Sequence, residues 1–176
     1  MTIILTKPSP ADADEFIAAA RASTQLQRPW VSAPDTPERF AGYLARAARD
    51  DQAGYLIRHR DCGGLVGYVN INNIVRGALQ SGYLGYSAFA SHAGRGLMTA
   101  GLAAVISDAF TGLRLHRLEA NIQPANAPSI ALVRRLGFRR EGTSPRYLLV
   151  DGQWQDHERW AVLADEWTGL PPAPGS

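Results

Sequence analysis

Gly94 and Gly96 flank Arg95 in the run Ser91-His92-Ala93-Gly94-Arg95-Gly96-Leu97-Met98-Thr99, between a stretch of strand character and one of helical periodicity. Glycines at such a junction let the backbone turn tightly and let an anion approach without meeting a side chain. The unpaired N–H groups and dipole of the helix that follows favour a phosphate or pyrophosphate. Arg95 adds a cation at the loop tip. Two commoner phosphate loops are excluded. No Gly-Lys-Ser/Thr follows, as a nucleotide-hydrolysing P-loop requires, and Thr99 stands where the dinucleotide fingerprint carries its third glycine. A Gly-x-Gly pair also serves as a plain helix entry, so its surroundings must decide.

Downstream, residues 113–123 alternate, with Leu118, Ala120 and Ile122 on one face and Arg117, Glu119, Asn121 and Gln123 on the other. The polar face offers Glu119 as a proton acceptor and Asn121 as a residue able to order a water. Glu119 is equally explained as a strand carboxylate paired with Arg117 or His116. Trp30, Tyr68, Tyr83 and Tyr147 could line a pocket for a second substrate, and core packing competes for each of them. His92 falls in the glycine loop and could serve through its backbone alone. His157, beside Asp156 within a strand, reads as structural. No pair of histidines has metal-ligand spacing, and the single Cys62 sits in the turn Asp61-Cys62-Gly63-Gly64, so no metal is expected.

These residues are positioned by a mixed α/β chain. Residues 2–6 form a strand, then Ser9 or Asp12 caps a helix to about residue 24. Thr36-Pro37 opens a second helix to about Asp50. Residues 54–60 and 65–74 flank the Asp61–Gly64 turn as a hairpin. A strand from Gln80 to Ala88 contains Gly82 and Gly85, which suggests a bulge or a close backbone approach. Met98, Leu102, Val105, Ala109 and Leu113 then recur as one buried face of a helix from Gly94 to Gly112. Another helix spans Asn126 to Leu136, with Asn126 as N-cap, Pro128 in its first turn and Gly137 as stop. Strands at 139–150 and 154–163 close on the favoured turn Asp151-Gly152. The fold class is α/β: a mostly antiparallel sheet of about six to seven strands with one crossover, flanked by about four helices. Residues 1–168 make a single domain, and 169–176 a loose tail rich in proline.

The chain has 176 residues, 45% apolar and 19% charged, an ordinary balance for one compact domain. A net charge of +2 lacks the basic excess of a general nucleic-acid binder. Its cations are almost all arginine, Lys7 being the only lysine. Without an 18-residue apolar run or a signal-peptide layout, the expected location is the cytoplasm, with no membrane partner.

Gly94-Arg95-Gly96-Leu97-Met98-Thr99 resembles the acetyl-CoA pyrophosphate loop of the GNAT superfamily of N-acetyltransferases. Leu118-Glu119-Ala120, Asn126-Ala127-Pro128-Ser129 and Leu136-Gly137-Phe138 are similar to the continuation in the ribosomal-protein N-terminal acetyltransferases. Tyr147-Leu148-Leu149-Val150-Asp151-Gly152-Gln153-Trp154-Gln155-Asp156-His157 resembles the ending in the RimJ-like, alanine-acetylating branch. Together these motifs span residues 80–163, while the N-terminal third matches in layout only. Ser91 departs from the usual Gln/Arg of the loop, and Val133 from the tyrosine that some relatives place near the leaving thiolate.

The resemblance implies the GNAT fold and an acetyl group passed from acetyl-CoA to a primary amine in a ternary complex, without a metal. It implies that Tyr86, Ser87, Ala88, His92, Ala93, Gly94, Arg95, Gly96, Leu97, Met98, Thr99, Asn126 and Ser129 hold acetyl-CoA, with a backbone N–H near Tyr86–Ala88 polarising the thioester carbonyl. Glu119, Asn121 and Ser129 become the catalytic candidates: base, water-ordering residue and partner of the CoA sulfur. Ser129 also sits where a hydroxyl commonly caps backbone. Trp30, Tyr83 and Tyr147 become candidates for the acceptor pocket. The implied acceptor is a protein N-terminus, a ribosomal protein being favoured, and the implied assembly is a monomer or homodimer. A small-molecule amine as acceptor, or a CoA-binding module without transfer activity, remain open; an open groove favours peptides and an enclosed acidic pocket favours polyamines.

Overall fold

The computed structural model describes residues 2–170. Residues 171–176, most of the expected tail, lie outside the described residues, and Gly169 and Leu170 carry no helix or strand. Strand β1 (Ile3–Thr6) leads through a 3₁₀ turn at Pro10–Asp12 into α1 (Ala13–Ala22), α2 (Thr24–Gln27) and α3 (Pro37–Ala47). The meander β2 (Ala53–His59), β3 (Leu65–Val75) and β4 (Ser81–Ala88) follows. Then come α4 (Leu97–Thr111), β5 (Arg117–Ile122), α5 (Ala127–Arg135), β6 (Arg139–Val150) and β7 (Gln153–Leu163). The seven strands lie in the order β1-β2-β3-β4-β5-β7-β6. Every neighbouring pair is antiparallel except β4 and β5, which α4 joins as a crossover.

Local chemistry accounts for most boundaries. Thr36 accepts a hydrogen bond from the Arg39 N–H at 3.3 Å, with Pro37 in the first turn, so α3 begins where an N-cap followed by proline directs it. Asn126 caps α5 in the same way, accepting from the Ser129 N–H at 3.3 Å. Asp151 and Gly152 both take positive φ, the conformation of a tight hairpin turn between β6 and β7. At α1 the roles of the expected caps are reversed, because the Ser9 N–H and hydroxyl both donate to the Asp12 carboxylate, at 2.7 and 2.8 Å. The predicted helix to residue 24 divides into α1 and the four-residue α2. Helix α4 starts at Leu97 and not at Gly94, because Gly94 and Gly96 are left-handed, with φ of 75° and 73°.

Both faces of the sheet are covered around β2 and β3, whereas β6 has no buried residue. Across β1–β3 lies α4, burying Leu102, Val105 and Ile106 against Ile57, Val69 and Ile71. On the opposite face α1 and α3 enclose an aromatic cluster of Phe16, Phe40, Tyr43, Tyr68 and Phe89, in which the Phe16 ring centroid lies 4.9 to 5.6 Å from the other four. No bulge occurs at Tyr86–Ala88. The β3–β4 register runs without a shift from Gly67↔Ala88 to Asn72↔Tyr83, and the irregularity falls beyond it, before Val75↔Ser81. Gly82 is explained by packing, since a Cβ there would meet Ile71 Cγ2 at 2.6 Å.

One glycine sets how closely α4 approaches the sheet. A Cβ at Gly101 would stand 2.4 Å from Cδ1 of Ile57, a side chain with no exposed surface. Gly101→Val should destabilise the fold by about 3 kcal/mol, at the upper end of overpacking costs, read as a lower midpoint in urea denaturation. An unchanged midpoint would mean that α4 can lift from β2 freely.

Candidate functional site

The site originates in a fork. Strands β4 and β5 pair for only three residues, Ser81↔Arg117, Gly82↔Leu118 and Tyr83↔Glu119. Beyond them β4 stays with β3 and β5 stays with β7, so the sheet opens in its middle into a cleft of about 480 Å³. Successive residues of an antiparallel strand direct their backbone groups to opposite sides. The Phe89 N–H bonds Val66 O on the β3 side, whereas Ala88 O faces away and accepts from Gln27 Nε2 at 3.1 Å. By that alternation the backbone groups of Tyr86 and Leu84 also face the cleft, where β5 no longer supplies partners.

At one end of the cleft lies the loop Ala93–Gly96, preceded by a 3₁₀ turn at Ala90–His92. Nothing stands within 4 Å of where a Cβ would sit on Gly94 or Gly96, so glycine is needed there for its positive φ and not for space. No side chain caps α4 at Gly96, which leaves the first-turn N–H groups of Leu97, Met98 and Thr99 for a ligand. Arg95 and Arg135, the latter in the last turn of α5, add two cations to the cleft lining.

Toward the middle, Tyr86 Oη and Ser129 Oγ lie 2.6 Å apart. Burial pushes the Tyr86 phenol up to about 12, against the opposing pull of the Ser129 hydrogen bond, so it stays protonated at neutral pH. Ser129 does not cap its own helix. Asn126 does that, which leaves the Ser129 hydroxyl free to face β4. At the far end Asn121 lines the cleft, and its Oδ1 is buried without a partner among the described residues.

The cleft thus gathers Trp30, Tyr86, Ser87, Ala88, His92, Ala93, Gly94, Arg95, Gly96, Met98, Thr99, Asn121, Asn126 and Ser129 from the expected set. Leu97 turns beneath the loop into the core at 8% exposure. Glu119, Tyr83 and Tyr147 do not line the cleft; they stand behind the point where β4 and β5 still pair. There Arg117 Nε donates to Glu119 Oε1 at 2.8 Å and its other nitrogens reach Glu141. These carboxylates, Glu141 foremost, hold the Arg117 guanidinium above its ordinary pKa. Burial, the Glu119 charge and a hydrogen bond with Tyr147 raise the Tyr83 phenol. The His92 ring turns away to Leu65 O, with Nδ1 at 3.1 Å. Among the described residues no group of three or more His, Cys, Asp or Glu is arranged to hold a metal, and no helix is long and apolar enough to cross a membrane.

Several lining residues carried no signal in the sequence: Gln27, Val31, Gln123, Arg135 and His157. Gln27 belongs to a helix too short to show periodicity. Arg135 reads as an ordinary cation at a helix C-terminus. His157 is 4% exposed on β7 and enters the cleft from the far side of β5.

Residues 2–139 match the family model described as an acetyltransferase (GNAT) domain. The chain is 34% identical to the probable N-acetyltransferase YjcK of Bacillus subtilis, over 72% of this chain and 70% of that protein. It is 42% identical to the [ribosomal protein uS5]-alanine N-acetyltransferase of Escherichia coli, over 59% of this chain but only about half (54%) of that protein. In structure it is similar to Mycobacterium smegmatis RimJ in complex with CoA-disulfide, with a TM-score of 0.85 and 32% identity over 96% of this chain and 85% of that one. A forked sheet, a glycine-led helix and a match over most of the chain lead to one family: the chain belongs to the GNAT acetyltransferases and is an acetyl-CoA-dependent N-acetyltransferase.

Proposed function

We propose that the enzyme acetylates the α-amine at a protein N-terminus, with a ribosomal protein as the favoured acceptor, by direct attack in a ternary complex. The observation that carries this reading is the composition of the cleft: among the described residues that line it there is no Asp or Glu. A polyamine acceptor calls for carboxylates to offset its several charges, and this lining offers amides, hydroxyls, two histidines and two arginines. The relative that modifies an alanine of uS5 and the RimJ neighbour add support.

In this reading acetyl-CoA supplies the activated acyl group. Gly94–Thr99 and Arg95 hold its pyrophosphate, with Arg135 close to the phosphate end. The cleft-facing backbone of β4 takes the place of a strand partner for the pantetheine amides. A main-chain N–H at Tyr86 or Ala88 polarises the thioester carbonyl, and Asn126 and Ser129 flank the sulfur from α5. The Ser129 hydroxyl, backed by the protonated Tyr86 phenol, stabilises the departing thiolate, which supplies a hydroxyl pair where Val133 lacks one. Glu119, held by Arg117 behind the fork, would reach the amine only indirectly, through Tyr83 and Tyr147 or through water, so the base is left to a group that lines the cleft.

A peptide-library screen read by mass spectrometry tests the acceptor. Acetylation of α-amines on peptides with small N-terminal residues is expected. Preferential modification of spermidine or free amino acids would replace this reading with the small-amine one. Gly96→Val tests the anion loop, because a β-branched residue cannot hold φ of 73° without strain of about 1–3 kcal/mol. Acetyl-CoA affinity by calorimetry should fall by at least about tenfold, with the melting temperature lowered by about 2–4 °C per kcal/mol of that strain and the fold retained; unaltered affinity would place the pyrophosphate elsewhere. Ser129→Ala should lower turnover by about 10-fold to 100-fold and leave acetyl-CoA affinity almost unaffected. Because Asn126 provides the cap, helix α5 should survive. Intact turnover would restrict Ser129 to a structural role.

A further inference from the structure

The far end of the cleft holds two acceptor atoms with no donor. Asn121 Oδ1 is buried and has no partner among the described residues. His157 Nδ1 lies 2.9 Å from Gln155 O. A carbonyl oxygen only accepts, so Nδ1 must carry the hydrogen and Nε2 of the neutral ring presents a lone pair. No side chain or backbone group among the described residues bonds Nε2, although His157 is 4% exposed and lines the cleft. The two residues occupy one face of the sheet. Asn121 pairs with Arg159 on β7, and His157 lies two residues from Arg159, hence diagonally opposite Asn121 with its side chain on the same side.

One buried acceptor, Asn121 Oδ1, and one that lines the cleft diagonally across from it, His157 Nε2, suit a ligand rich in donors, because each is satisfied by an N–H and the buried one is costly to leave bare. We propose that Asn121 Oδ1 and His157 Nε2 hold the acceptor amine, and that His157 takes the proton released when it attacks. This assignment rests on the amine-acetylation reading above and adds the residues that receive the amine.

The proton balance closes through solvent. The neutral amine nitrogen forms a bond to the thioester carbonyl carbon and becomes cationic in the tetrahedral adduct. His157 Nε2 accepts a proton from that nitrogen, the C–S bond breaks, and the thiolate, held by the hydroxyl pair of Ser129 and Tyr86, takes one proton from solvent. The imidazolium returns its proton to solvent as the amide leaves. Glu119 is less well placed for this transfer, since its carboxylate is engaged by Arg117 and does not line the cleft. The remaining groups around His157 do not occupy Nε2. The Tyr147 ring lies 6.3 Å away centroid to centroid, Asp156 accepts from the Arg146 N–H at 2.7 Å, Glu158 engages Arg140 and the Trp160 indole, and Arg135 contributes to the cleft lining.

The test uses the full chain with acetyl-CoA and whichever primary amine the wild type acetylates, so a failure of the protein N-terminus reading leaves this test in place. His157→Ala and His157→Gln are compared with Glu119→Gln, with melting temperature and acetyl-CoA affinity measured on each. The expected result is a drop in kcat/KM of about 100-fold or more for both His157 variants, with acetyl-CoA affinity retained. Imidazole added to His157→Ala should then restore activity by about tenfold or more, because the vacated space opens onto the cleft. Asn121→Ala should lose activity without responding to imidazole. If His157→Ala does not fold, the loss in His157→Gln decides. A His157 variant within about threefold of wild type, or a folded His157→Ala that imidazole fails to rescue, overturns the proposal, and a larger loss in Glu119→Gln would then return the proton to Glu119.

Discussion

A strand inside a sheet cannot leave its backbone unpaired at low cost, and the rest of this structure follows from the place where β4 does so. After Tyr83 it loses β5, and from Leu84 to Ala88 it has a neighbour on one side only. Gln27 compensates at one carbonyl, reaching from α2 to Ala88 O. The other cleft-facing groups await an extended partner carrying amides of its own, which is the chemistry of a pantetheine arm. The crossover helix α4 ends its approach at the same opening and delivers its uncapped N-terminus to one end. Helix α5 roofs the middle with Asn126 and Ser129. Separation of the strands, the uncapped helix N-terminus at the opening and the hydroxyl pair are thus consequences of one topological choice, a parallel pairing of three residues.

Arg95, Arg135 and the bare helix N-terminus bring positive potential to a cleft lining that also carries the Asn121 amide and the His157 imidazole. Behind the fork the Arg117 guanidinium is shared between the carboxylates of Glu119 and Glu141.

Much of this was legible in the chain itself, and the parts that were not share a cause. Caps and turns are local, so Thr36-Pro37, Asn126 and Asp151-Gly152 marked their boundaries within a residue or so. The Gly94-Arg95-Gly96 loop is legible for the same reason: left-handed φ demands glycine wherever the rest of the chain goes. Strand alternation placed Asn121 and Glu119 on one face, yet nothing local tells that the fork falls between them, leaving one facing the cleft and the other tied to Arg117. His157 belongs to the cleft only because β7 inserts between β5 and β6, a pairing between distant segments that periodicity cannot reveal. Gln27 matters through a bond to a residue 61 positions away. Glycines within β4 suggested a bulge or a close backbone approach, whereas at Gly82 the cause is side-chain crowding from Ile71.

The choice of arginine over lysine acquires meaning beside a bound thioester. Acetyl thioesters react spontaneously with lysine ε-amines near them but leave guanidinium groups untouched, because arginine keeps its proton across the working range. Seventeen arginines and one lysine make up the cationic side chains of this protein. The single ε-amine, on Lys7, rests 3.7 Å above the Tyr55 ring, at the edge of the sheet that bears β1, with the Asp108 charge nearby. An enzyme that carries an activated acyl group thereby offers it almost no lysine of its own to modify, and its charge pattern is protected from slow self-acetylation.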